Sequence, residues 1–96
     1  MRMIFFPSKD DVTLVAQPKP NDWAFMEQSG EVLKDIPETW SRYPKTENGM
    51  KSIIEMEFEE FKQTEAKGLS VEDRSRELVH LASACLYLWR HLNNVE

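Results

Sequence analysis

One cysteine, Cys85, is all that this 96-residue chain contains. No disulfide can therefore close within it, and a reducing compartment suits it. A basic excess is missing too. The formal charge of −5 and a pI near 5.0 leave out a general nucleic-acid binder, which needs a basic patch to meet phosphates. No run of about 18 apolar residues occurs, which excludes a membrane-spanning helix by length alone. The opening stretch Met1 to Asp11 carries one arginine and a very short apolar run, too short for a secretory leader, so the cytoplasm is the expected location. Internal repeats and low-complexity tracts are absent.

What is present fits one small domain. Hydrophobic residues at 41% beside 30% charged residues describe a folded rather than a disordered chain. At this length roughly 60–70% of the unfolded chain's surface can be buried, and self-association would add to a modest core. The fold class expected is mainly α, with an antiparallel helix hairpin forming an oligomeric helical bundle and a small N-terminal β hairpin or arm. That arm comprises Arg2 to Phe6 and Val12 to Gln17, two short apolar or β-branched runs around Pro7-Ser8-Lys9-Asp10-Asp11.

Residues 21–48 read as short helices and loops. Asn21 or Asp22 is placed to cap a helix holding Trp23, Phe25 and Met26 and ending near Ser29-Gly30. Further short helical pieces are expected over Glu31 to Asp35 and Glu38 to Tyr43, separated by Pro37. Trp23, Phe25, Trp40 and Tyr43 are expected to pack in a core or interface.

The second half is patterned more strongly. Met50, Ile53, Ile54, Phe58 and Phe61 recur at intervals of three and four, the signature of an amphipathic helix, here from about Gly49 to Lys67. Gly68 is placed as its C-terminal cap. Ser70 followed by Asp73 resembles a capping box and opens a second helix from Val71 to about Asn93, with Leu78, Leu81, Ala82, Cys85, Leu86, Trp89 and Leu92 on its apolar face. So short a link makes the pair an antiparallel hairpin.

Glu57 interrupts the apolar stripe of the first helix. A carboxylate taken out of water costs several kcal/mol unless something compensates it. Equal helical rise on both sides of a turn centred between Gly68 and Leu69 sets Glu60 level with Glu77 and Glu57 level with His80. Glu57, Glu60, Glu77 and His80 can therefore meet, and carboxylates so gathered suit a divalent cation, Mg²⁺ or Mn²⁺. Two other outcomes fit the same spacing: Glu57 reaching the solvent edge, or pairing with Arg74.

Glu57-Phe58-Glu59-Glu60 and Glu77-Leu78-Val79-His80 together resemble the E-x-x-E and E-x-x-D pairs of the MazG-like, all-α nucleoside triphosphate pyrophosphohydrolases. The run Arg76 to Trp89 is similar to the Leu- and small-residue-rich helix of phage and actinobacterial members. The likeness spans about residues 50–92. It implies a helical bundle completed as a dimer or tetramer, and Mg²⁺-dependent cleavage of a nucleoside triphosphate to monophosphate and pyrophosphate. Glu57, Glu60 and Glu77 would be catalytic as metal holders, His80 would take the fourth ligand position, and Lys51 is the candidate for a phosphate contact. Two positions depart from the family pattern. His80 replaces an acidic residue, and imidazole suits Mn²⁺ or Zn²⁺ better than Mg²⁺; Glu59 stands where many members carry Gly. The alternative is a non-catalytic acidic interaction protein, an inhibitor or adaptor of bacterial or phage type, on the same scaffold.

Overall fold

The computed structural model describes residues 19–95. Three α-helices and one 3₁₀ turn make up the described chain: α1 (Pro20–Val32), the 3₁₀ turn (Glu38–Arg42), α2 (Glu47–Ala66) and α3 (Val71–Leu92). The mainly helical class and the α2–α3 hairpin are as expected. The two runs assigned to an N-terminal β arm lie outside the described residues.

Both hairpin ends follow from local chemistry. Thr46 caps α2 by accepting the Gly49 amide at 3.1 Å. The chain folds back so tightly there that a Cβ on Gly49 would collide with the carbonyl oxygen of Pro44. At the other end Gly68 adopts φ +64°, the left-handed conformation that glycine enters without steric cost. Its amide bonds Glu65 O and the Leu69 amide bonds Thr64 O, each at 3.0 Å, the paired closure of a Schellman turn. Ser70 then caps α3 by accepting the Asp73 amide at 3.1 Å. Asp73 does not complete a reciprocal box. One methylene shorter than Glu, its carboxylate instead takes the Ser70 hydroxyl at 3.0 Å.

Helix α3 packs against both other helices. Its approach to α1 is close because small residues meet there. The Ser83 hydroxyl lies 3.1 Å from the carbonyl oxygen of Ser29, and Ser29, Ser83 and Ala84 are all buried. The expected helix end at Ser29-Gly30 is therefore wrong: α1 runs through Gly30 to Val32, since Ser29 serves packing rather than termination. For the same reason Glu31 to Asp35 is not a separate helix; its first two residues finish α1 and the rest form a turn. The piece expected at Glu38 to Tyr43 is present as the 3₁₀ turn.

The core gathers Trp40, Met50, Ile53 and Ala84. Tyr87 lies against Trp40 with ring centroids 5.3 Å apart and planes tilted by 34°, and Tyr43 packs on the same cluster. Several expected core residues lie elsewhere. Phe58 is 48% exposed, covered by the Lys62 ammonium 5.1 Å from its ring centre. Leu78, Leu92 and Cys85 are also exposed, because α3 turns Ser83 and Ala84 inward and moves its apolar stripe aside by about one residue. Trp23 and Phe25 are exposed on α1.

Candidate metal centre

The buried line of α2 runs Met50, Ile53, Glu57, Thr64, residues at intervals that stay on one helical face. Glu57 belongs to that line and keeps only 3% of its surface. Trp40 meets it: the 3₁₀ turn delivers the indole so that Nε1–H donates to Glu57 Oε2 at 3.4 Å. Arg74 does not reach Glu57. Among the described residues no Lys or Arg nitrogen comes within 4 Å of Glu57, Glu60 or Glu77.

From α3, Glu77 and His80 complete the group. Ligand atoms of Glu57, Glu77 and His80 all lie within 4.8 Å of one another. His80 Nδ1 stands 3.9 Å from Glu77 Oε2, too far for a hydrogen bond, and that oxygen is buried without a hydrogen-bond partner. Glu60 is exposed, and its carboxyl lies near enough to raise the pKa of both Glu57 and Glu77. It also lines, with Glu77, Gln63, Thr64 and Lys67, an open cleft of about 300 Å³ beside the buried pair. The structure thus gathers Glu57, Glu77 and His80 into one group, while Glu60 stays at its exposed edge, along the cleft it shares with Glu77.

Their electrostatics follow from burial. Loss of solvent pushes the Glu57 carboxyl up to about 7, reinforced by the hydrogen bond and charge of Glu60 and opposed by the Trp40 N–H. Glu77 is raised too, first by burial and then by Glu60, against the pull of His80. Near neutral pH the Glu57 carboxyl is therefore held partly protonated, a state that a cation would relieve. The donor set fits a divalent ion: up to three carboxylates supply hard oxygen ligands, Glu77 Oε2 lacks another partner, and one imidazole favours Mn²⁺ over Mg²⁺.

Lys51 sits apart from this group. It pairs with Glu47 at 3.2 Å on the exposed side of α2, about 9 Å along the axis and a third of a turn around from Glu57 by helical geometry. Trp40 is the residue that sequence reasoning did not connect to the site. The only signal for it was general: a buried indole N–H requires an acceptor, and Glu57 is a buried acceptor that lacks a cation.

Among the described residues no helix is long and apolar enough to cross a membrane. Compared with protein-family models, with curated proteins and with solved structures, the chain gives no significant match.

Proposed function

We propose that this chain is a divergent MazG-like nucleotide pyrophosphohydrolase, hydrolysing a nucleoside triphosphate to monophosphate and pyrophosphate with Mg²⁺ or Mn²⁺. The observation that carries the reading is the convergence of Glu57, Glu77 and His80 ligand atoms within 4.8 Å.

In this reading Glu57, Glu77 and His80 would hold the ion, with Glu60 as a further carboxylate at the exposed edge of the group. A bound divalent ion supplies neutralisation of phosphate charge and an acidified water. Trp40 would help to position Glu57 by donating to its Oε2. Glu60, the exposed member of the group, is the carboxylate that an arriving triphosphate would meet first. Lys51 is retained only as a peripheral phosphate contact. The acidic net charge suits such an arrangement, because the ion provides the positive charge that the triphosphate requires. Assembly into a dimer or tetramer would bury Trp23, Phe25 and Met26, which are 58%, 42% and 49% exposed. The cytoplasm is the proposed location.

The test is release of pyrophosphate from a panel of nucleoside triphosphates with Mg²⁺ or Mn²⁺. Release is expected from the wild type and not from Glu57→Gln; equal release from both would remove the carboxylates from the chemistry.

The same exposed α1 patch favours one other reading, a non-catalytic acidic adaptor or inhibitor that buries these residues against another protein. It requires a stoichiometric partner and no response to metal.

A further inference from the structure

We propose a second ligand site, independent of the carboxylates, at the opposite end of the hairpin: a cleft for a small phosphomonoester with a flat apolar body. The cleft has a volume of about 330 Å³, within the roughly 300–1,000 Å³ typical of small-molecule sites. Its apolar lining comes from Leu33, Ile36, Met50 and Tyr87, and Lys45, Arg90 and His91 join them at the same opening. Met50 precedes Glu57 by two helical turns on the same face, which separates this cleft from the carboxylates by about 10 Å along α2.

Charge is the reason to expect an anion there. The chain as a whole carries −5, yet this opening gathers two fixed cations and a histidine. Among the described residues none of the three lies within 4 Å of a carboxylate. Arg90 and His91 occupy the last turn of α3, where positive charge complements the helix dipole. That preference does not account for Lys45, which arrives from the segment before α2.

Three basic side chains lining one opening match the several oxygens of a phosphomonoester dianion better than the two of a carboxylate. Tyr87 already packs against Trp40 and, with Met50 and the aliphatic side chains, gives a planar body an apolar surface to lie on. The sequence alone gave no hint of the site, because Lys45, Met50 and Arg90 come from three separate segments.

The experiment is calorimetric titration of the full chain, in EDTA, with adenosine 5′-monophosphate, inorganic phosphate and adenosine as probes. Adenosine monophosphate should bind saturably and more tightly than either fragment. Arg90→Glu and the exposed Lys45→Glu should each weaken it by about tenfold or more, the loss expected for a charge-assisted bond. Lys62→Glu, on the far surface, and Glu57→Gln should leave it unchanged. Absence of saturable binding overturns the proposal, and so does binding that survives both charge reversals. Inorganic phosphate binding as tightly as the monophosphate denies the apolar surface a role and also overturns it. Binding lost in Glu57→Gln, or appearing only with added Mn²⁺, assigns the ligand to the carboxylates and refutes a separate site without touching the hydrolase reading.

Discussion

Trp40 Nε1 donates to Glu57 Oε2 across 3.4 Å, joining the 3₁₀ turn to the buried face of α2. The bond is long and made to a buried carboxyl that, among the described residues, no Lys or Arg nitrogen reaches. Trp40→Phe preserves an aromatic ring and removes the donor. Unfolding in urea should show a loss of about 1–2 kcal/mol, from the missing hydrogen bond and the smaller ring. Because the indole N–H holds the Glu57 carboxyl down, a carboxyl-carbon NMR titration of the variant should place it above the wild-type value. An unchanged titration would show that the bond is not made in solution.

Acidification should stabilise the metal-free protein. The folded state raises Glu57 from an ordinary 4.5 to about 7 and also raises Glu77, so it binds protons more readily than the unfolded chain. Stability from these groups is complete below about 4.5 and is lost as pH rises through about 7. The melting temperature in EDTA should therefore be higher at pH 5.5 than at pH 8, on a scale of about 4–8 °C per kcal/mol for a domain of this size. A melting temperature that climbs steadily from pH 5.5 to 8 would contradict the buried position of these carboxyls.

Much of this arrangement was legible before any coordinates. Gly68 and Ser70 fixed the turn, and the turn fixed which glutamates face each other, since helical rise is the same on both strands of a hairpin. Glu57 stood out because a charge among Met50, Ile53 and Ile54 breaks a period. The first half resisted the same treatment. Ser29-Gly30 has the composition of a helix end, yet small residues are equally what a close α1–α3 crossing demands, and only the partner residue Ser83 decides between the two. Averaged periodicity puts Phe58 and Leu78 on the apolar faces, but it cannot resolve a rotation of one residue, and both are exposed. Trp40 lay beyond reach because its bond to Glu57 spans 17 residues with no repeating pattern between them.

The hairpin turn offers a test of the fold alone. Gly68→Ala forces a side chain into φ +64° and should cost about 1 kcal/mol. Gly49→Ala meets the Pro44 backbone rather than strain in its own torsion and should be the more damaging change, measured by chemical denaturation. Equal and negligible effects would mean that neither end is built as described.

His80→Asp supplies the acidic residue that the family pattern places there. Another negative group beside Glu77 and Glu57 should lower the melting temperature at pH 8 in EDTA. It should also shift the preference from Mn²⁺ toward Mg²⁺, as an oxygen ligand replaces imidazole. Retention of the wild-type metal preference would place His80 outside the ligand set.

The most direct measurement is thermal unfolding at pH 8 during titration with Mn²⁺ and Mg²⁺, run in parallel on wild type and Glu57→Gln. A cation that neutralises these carboxylates should raise the wild-type melting temperature in a saturable way, the stabilisation reaching about 3 kcal/mol at a hundredfold excess over its dissociation constant. Glu57→Gln should start out at least as stable as the wild type in EDTA and gain little from either ion. Superimposable curves with and without metal would contradict the claim that Glu57, Glu60, Glu77 and His80 form a cation site.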